Sequence, residues 1–371
     1  MARNNKRRQI RYAVVGLGHI AQVAVLPAFA HASRNSRLTA LVSDDSKKRK
    51  ELSRRYKINL VYPYERYEDC LRSGEIDAVY IALPNSMHAD YSVRAAAAGV
   101  HVLCEKPMAV TEEECQAMIR AAHQNKIKLM IAYRLHFEEA NLKAIALVKS
   151  GKIGEPRIFN SLFGLQVREG NIRTQSELGG GTLYDLGIYC INAARYLFQA
   201  EPFEAFAYTA ARNDRRFREI DEMTAAVLRF PQDRIASFTS SFGITDTASY
   251  EIIGTKGILR LDPAYEYMMA LKHFLTIDGK TRTRTFPKRD QFAPELLYFS
   301  DCILKDIEPE PSGEEGLQDV RIVRALYRAA ETGRPVEIAP VRIKKRPQLR
   351  QEKRRPPVTK PPLVNAQSGS A

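Results

Sequence analysis

Three residues have types and a spacing that could do chemistry together. Lys106 stands in Cys104-Glu105-Lys106-Pro107, and Asp185 and Tyr189 lie four apart in Gly179-Gly180-Gly181-Thr182-Leu183-Tyr184-Asp185-Leu186-Gly187-Ile188-Tyr189. In a helix that spacing puts both side chains on one face. A phenol titrates at about pH 10 in water, but a neighbouring ammonium favours its anion and makes it a usable proton acceptor. Pro107 fixes the turn after Lys106 and allows a cis Lys106–Pro107 bond. Taken singly, Lys106 reads as a solvated loop lysine and Tyr189 as a packed core tyrosine. Their chemistry depends on the elements that position them.

The first such element opens the chain. Arg11–Val15 is a short apolar run of strand formers, followed at once by Gly16-Leu17-Gly18-His19-Ile20-Ala21. This is G-x-G-x-x-A directly after a strand and opening a helix. Gly16 suits a tight turn, Gly18 lets the backbone approach a pyrophosphate, and Ala21 lets the helix pack close to the strand. The helix N-terminus adds free N–H groups and a positive dipole end. Pro27 is expected to kink or end that helix. Strand-like runs continue at Leu38–Ser43, Ala78–Leu83, His101–Cys104 and Lys128–Ala132, with helical patterns at 46–55, 87–98 and 111–124. Ala95–Ala98 closed by Gly99 reads as a helix end. The alternation predicts a parallel, doubly wound sheet. Strand carboxyl ends in such a sheet face the ligand crevice, so Lys106 is placed to reach the reacting end of a bound nicotinamide.

The end of the second strand bears on which nicotinamide cofactor is bound. An acid there accepts bonds from a ribose 2′-hydroxyl, whereas a small polar residue beside bases suits a 2′-phosphate. Ser43 ends the run, 22 residues past Ala21, and Asp44, Asp45, Ser46, Lys47, Lys48 and Arg49 follow. Ser43 with one of the bases reads as a phosphate site, Asp44 reads the opposite way, and Asp44–Ser46 also suits a helix cap. The balance favours NADP over NAD.

In chain order, GLGHIA, the strand ending in Ser43, ALPNSMHA, CEKPMA, IAYRLH and GGGTLYDLGIY form a set. The set closely resembles the glucose–fructose oxidoreductase, inositol dehydrogenase and rhizopine-catabolism (Gfo/Idh/MocA) family, and within it the glucose–fructose oxidoreductase branch. The resemblance covers about residues 11–337. It implies an α/β Rossmann domain over 12–134 and an α+β domain over 135–340 with a large, open, mostly antiparallel sheet. Strand-like runs at Arg157–Phe163, Phe203–Tyr208, Thr224–Phe230, Ile235–Phe242, Ser249–Ile253 and Ile258–Leu261 fit this, interrupted by a helix at 183–198.

The resemblance also implies roles. Lys106, Asp185 and Tyr189 would form the catalytic set. Gly16, Gly18, His19 and Ile20 would lie at the pyrophosphate, and Ser43 and Lys48 would hold the 2′-phosphate. Leu83, Pro84, Asn85, His88, Glu105 and Lys106 would line the cofactor, with Tyr133 and Arg134 at the domain junction. Many relatives carry His where Tyr189 stands, and the tyrosine is similar to the aldose-oxidising branch. Pairing through the open sheet face would give a homodimer or homotetramer. Two departures stand out. The branch commonly has a tryptophan–arginine segment before the triple glycine; here Ile172–Leu178 contains Arg173, and the chain has no tryptophan. The sugar-coupling enzyme of the branch also wraps its cofactor with an N-terminal arm, for which eleven residues are too few. That favours a freely exchanging cofactor.

The net charge is +14, from 57 Lys+Arg against 43 Asp+Glu in 371 residues. Residues 1–11 carry five bases and no acid, residues 341–371 carry nine bases and one acid, and the body between sums to +1. A near-neutral body with a basic arm and a basic, proline-containing tail is unlike a uniformly basic nucleic-acid binder. The tail, over 341–371, is expected to be extended or disordered, with weak polyanion contact at most. With 44% hydrophobic and 27% charged residues, wholesale disorder is excluded. Five cysteines without a CxxC pair exclude a disulfide scaffold. His31, His123 and His273 show no metal spacing, and no metal is expected. Cys104 reads as a packed thiol, and Tyr62, Tyr64 and Tyr67 as packing. The basic start and the stretch YAVVGLGHIAQVAVLPAFAHA resemble a secretory signal, but His19 and Gln22 interrupt it and cleavage would destroy the glycine turn. No run approaches the roughly 18 apolar residues of a membrane span, and a cytoplasmic protein is expected.

The function implied is NADP-dependent oxidation of an aldose at C1 to a lactone. Two alternatives stay open: coupled sugar–sugar oxidoreduction on a retained cofactor, and a non-catalytic cofactor-sensing regulator with basic ends.

Overall fold

The computed structural model describes residues 8–339, 341, 343 and 345–369, so most of the expected N-terminal arm lies outside the described residues. The first unit alternates strands and helices: β1 (Ile10–Val15), α1 (Leu26–Ala32), β2 (Ser36–Val42), α2 (Ser46–Tyr56), β3 (Leu60–Tyr62), α3 (Tyr67–Arg72), β4 (Ala78–Ile81), α4 (His88–Ala97), β5 (His101–Glu105), α5 (Glu112–Gln124) and β6 (Leu129–Ala132). They form a six-stranded sheet in the order β3-β2-β1-β4-β5-β6, with every pair parallel. Helices cover both faces, so central strands read as continuous apolar runs; Ala78–Ile81 is buried throughout. Local signals set the helix ends. The Asp45 side chain accepts from Lys48 N at the start of α2, Thr111 and Glu114 close a capping box on α5, and Gly99 adopts φ +73 after α4.

Two details depart from the sequence reading. The three-residue β3 is too short to carry a period. Pro27 does not end the first helical segment. It sits in the first turn of α1, where its missing N–H is not needed, and the residues before it, Ala21–Val25, wind as a wide π-type turn.

The second unit comprises α6 (Glu139–Lys149), β7 (Pro156–Gln166), α7 (Ile188–Phe198), β8 (Glu204–Ala210), β9 (Met223–Phe230), β10 (Arg234–Ser241), β11 (Gly243–Gly254), β12 (Gly257–Leu261), β13 (Leu271–Ile277), β14 (Lys280–Phe286), α8 (Ala293–Leu304), α9 (Gly313–Thr332) and β15 (Val336–Glu337). Its nine-stranded sheet has the order β14-β13-β12-β11-β7-β10-β9-β8-β15. Only the β7–β10 pair is parallel among those described. β9 alternates exposed and buried residues along its whole length, as a sheet covered on one side requires. The register puts Ile158, Val227, Ile235 and Tyr208 on the open face, all of them exposed. The β13–β14 hairpin escaped the sequence reading because β14 is an exposed, basic edge strand. Its signal was the turn at Asp278-Gly279, where both residues have positive φ.

Two segments cross the division at 134/135. Helix α8 packs on the Rossmann sheet, burying Leu296, Leu297 and Phe299 with Tyr12 and Phe29, and Ser300 Oγ lies 2.8 Å from Tyr12 OH. The tail is the second: residues 345–369 lie over the body, with a short 3-10 turn at Leu349–Gln351 and Val364 buried in the same core.

Candidate active site

The carboxyl ends of the Rossmann strands and the segment leading into α7 enclose a cavity of about 880 Å³, toward the upper end for small-molecule sites. The glycine turn forms one wall. Gly16 has φ +90, and a Cβ there would collide with the Ala82 carbonyl. Gly18 is different: a Cβ on it would meet nothing within 4 Å, so its backbone borders open space. His19 Nε2 is buried with no protein partner. An open backbone and an unpartnered buried ring nitrogen in a glycine turn fit a bound pyrophosphate. Ala21, wholly buried, gives the close strand contact its size implies.

At the end of β2 the cavity is lined by Ser43 and Lys48. Asp44 is not among the lining residues; its Oδ1 accepts from Tyr64 N at 2.6 Å. Asp45 caps α2 and lies 3.9 Å from Lys48 Nζ. The hydroxyl and the ammonium face the cavity, while both carboxylates are committed to backbone groups. Tyr64 lines the cavity beside them, edge-on to Tyr91, and so does more than the packing read from sequence.

The other end holds Lys106, Asp185 and Tyr189. Lys106 follows β5 through a cis bond to Pro107. Asp185 lies in a wide π-type turn, Leu183–Gly187, that leads directly into α7, and Tyr189 is the second residue of that helix. Lys106 Nζ donates to Asp185 O at 3.0 Å and Oδ1 at 3.1 Å, and lies 4.7 Å from the Tyr189 ring centroid. Burial alone would raise the Asp185 carboxyl. The Arg173 guanidinium, whose Nε donates to Oδ2 at 2.5 Å, and the Lys106 ammonium instead hold it well below the usual carboxylate range. Burial opposes the Lys106 charge, but Tyr189, Asp185 and Glu105 outweigh it and raise its pKa. Arg134 stands 5.0 Å from the Tyr189 ring centroid, so two cations lie beside that ring.

Of the residues expected at the cofactor, Tyr133 alone does not line the cavity. Ala132 and Arg134 line the cavity, whereas Tyr133 is buried in the core with its ring stacked on His136 at 5.3 Å. The side chains alternate past the end of β6, which turns neighbours to opposite sides. Gly16, Gly18, His19, Ile20, Leu83, Pro84, Asn85, His88 and Glu105 all border the cavity. His88 works there as a brace: its ring nitrogens lie 2.8 Å from the Pro107 carbonyl and 3.0 Å from that of Leu83. Asn85 donates to Gly179 O at 2.8 Å, joining the two domains. The tightest approaches of the triple glycine are to protein. A Cβ on Gly179 would crowd Val110 and Asn85, and one on Gly180 would strike the Arg173 carbonyl.

Sequence reasoning missed Glu266 and Tyr267, which line the cavity from the loop between β12 and β13, Asp246, which lines it from the irregular start of β11, and Lys360 and Gly369, which line it from the tail. No period or motif marks them. Cys104 is a buried thiol whose pKa burial pushes well up. Among the described residues no helix is long and apolar enough to cross a membrane.

Comparison with known proteins agrees with this geometry. A family model described as an oxidoreductase family with an NAD-binding Rossmann fold matches residues 10–133, and the GFO/IDH/MocA C-terminal domain matches residues 141–260. The chain is 33% identical over 341 residues to D-xylose 1-dehydrogenase (NADP(+)) of Haloarcula marismortui, covering 89% of this chain and 93% of that one. It is similar to the crystal structure of aldose–aldose oxidoreductase from Caulobacter crescentus complexed with glycerol, at 38% identity and TM-score 0.85, covering 89% and 100% of the two chains. A 3-ketoreductase from Actinomadura kijaniata, solved with NADP and TDP-benzene, is similar at 27% identity and TM-score 0.78, covering 87% and 98%.

Proposed function

The chain belongs to the GFO/IDH/MocA oxidoreductase family, and on that footing we propose that it oxidises an aldose at C1 to a lactone with NADP. The observation that carries the reading is the Tyr189 phenol, flanked by Lys106 and Arg134 at the end of a cavity whose other end is a glycine turn. Bound there, NADP would accept the hydride from C1. Tyr189 takes the proton of the C1 hydroxyl and passes it to solvent. Lys106 stabilises the phenolate, and general base catalysis of this kind contributes about two to four orders of magnitude in rate. Asp185 holds Lys106 in place, and Arg173 holds Asp185. The choice of NADP rests on Ser43 and Lys48 at the cavity wall with Asp44 turned to the backbone, and on relatives named for NADP. The sugar substrate rests on the same relatives and on the aldose–aldose oxidoreductase.

Tyr189→Phe tests the reading. It should abolish aldose-dependent formation of NADPH, followed by its near-ultraviolet absorbance, while NADPH still binds. Full turnover by Tyr189→Phe would refute the assignment.

A second reading, oxidation of one sugar coupled to reduction of another on a cofactor that stays bound, is favoured by the packed tail at the cavity. The regulator reading has less support. Tail bases expected to be free lie on acids of the body, Arg346 on Glu201 at 2.5 Å and Arg354 on Glu139 at 3.1 Å.

A further inference from the structure

Residues 355–369 do more than cover the surface. Arg355 Nε donates to His31 O at 3.1 Å, and Arg55 donates to Pro362 O at 2.8 Å. Gln22 then clasps the chain. This side chain is wholly buried in the helix that follows the glycine turn. Its Nε2 donates to Val364 O at 2.9 Å and its Oε1 accepts from Val364 N at 2.8 Å. A buried amide is costly unless bonded, and the tail supplies two of the bonds Gln22 makes. Asn365 donates to Asp45, the cap of the helix that carries Lys48, at 3.2 Å. Four residues on, Gly369 O accepts from Arg168 N in the second domain at 3.1 Å. There a Cβ on Gly369 would run into the Arg173 guanidinium. The strap is thus fastened to the Rossmann domain at Val364 and Asn365 and to the second domain at Gly369. Four residues span at most roughly 14 Å, which limits how far the cleft can open at that point. Between the fastenings and just before them, Lys360, Ser368 and Gly369 line the cavity.

We propose that residues 355–369 are part of the dinucleotide site: Lys360 contacts the phosphates over the Gly16–Gly18 turn, and the strap must lift before the cofactor can leave. This inference rests on the NADP reading above. The orphaned His19 Nε2 lies in that turn. Burial and then the charges of Lys360 and Arg173 push the His19 imidazole down, so the turn is ringed by cations. The strap is then what retains the cofactor.

The test follows release of NADPH by its fluorescence after a chase with excess NADP, for the full chain, a chain ending at Thr359 and Lys360→Gln. The truncated chain should release NADPH about tenfold faster or more, the loss of one charge-assisted contact and the clasp. Lys360→Gln should release it about three- to tenfold faster, with a shallower dependence on salt. Equal rates for the full and truncated chains overturn the strap, and a full-chain rate in Lys360→Gln removes Lys360 from the site. Lys360 is exposed, so that variant decides the matter where the truncated chain loses cooperative unfolding. Failure of the full chain to bind NADPH at all defeats the NADP reading itself and this inference with it.

Discussion

Asp185→Asn puts the arrangement of charges in the site under strain in a way that can be calculated. Asp185 accepts from Lys106 at 3.1 Å and from Arg173 at 2.5 Å. At an effective dielectric of about 20, unit charges that close attract by roughly 5 kcal/mol before desolvation. Removing one partner of a buried pair costs about 3–5 kcal/mol. Arg173 is a third exposed, and asparagine keeps one acceptor, so the net loss should be nearer about 2–3 kcal/mol. On the reaction, losing one charge-assisted hydrogen bond corresponds to about 10- to 100-fold in kcat/KM. The sign of the pH effect is the sharper test. Asp185 is one of the groups that raise the Lys106 pKa. Without its charge the ammonium is lost at lower pH, so the alkaline limb of kcat/KM moves to the acid side. Arg173→Gln leaves the Lys106–Asp185 pair and should keep that limb closer to wild type. The assay is aldose-dependent NADPH formation across pH, with NADPH binding as a control. A loss uniform across pH, with the alkaline limb unmoved, would refute the role given to Asp185.

Other expectations concern separate parts of the molecule. Combining Ser43→Asp with Lys48→Ala should lower the preference for NADP over NAD by about 10- to 100-fold in the ratio of kcat/KM, since an acid replaces a cationic phosphate site. His273 is buried, its Nε2 donating to Ala140 O at 2.9 Å, and burial pushes it down to about 4. The unfolded chain binds this proton from about pH 6.5 downward. Stability should therefore fall as pH drops from about 6.5 to 4, by roughly 3 kcal/mol from this group, and His273→Gln should flatten that limb of urea unfolding. If copies pair through the open sheet face, Val227→Lys with Ile235→Lys should halve the mass measured by light scattering at micromolar concentration. Unchanged mass would place any pairing elsewhere.

Much of the site was legible in sequence because local stereochemistry demands particular residues. Only glycine serves at Gly16, where φ is +90 and a neighbouring carbonyl blocks a Cβ. Lys106, Asp185 and Tyr189 could be picked out because they belong to contiguous motifs beside readable elements. Tyr133 misled because the alternation of side chains continues past the strand end, and a one-residue step moves a ring from cavity to core. Pro27 misled because the preceding turn widened to admit it.

The glycine turn, the hydroxyl at the end of β2 and the grouping of Lys106, Asp185 and Tyr189 were thus legible in the sequence alone. The tertiary structure decided which charges act on them. Arg134 beside Tyr189, Gln22 against Val364 and Lys360 on the wall of the same cavity as the glycine turn bring together segments far apart in the chain, and Arg173 reaches Asp185 across twelve residues. His19 and Gln22, which interrupt the apolar N-terminal stretch, acquire a use only in the folded protein: one borders the cavity and the other clasps the strap. Loop and strap positions carry no period or backbone requirement that would mark them beforehand. They are selected by what packing brings within a few ångströms, and electrostatic and hydrogen-bond energies depend on that distance.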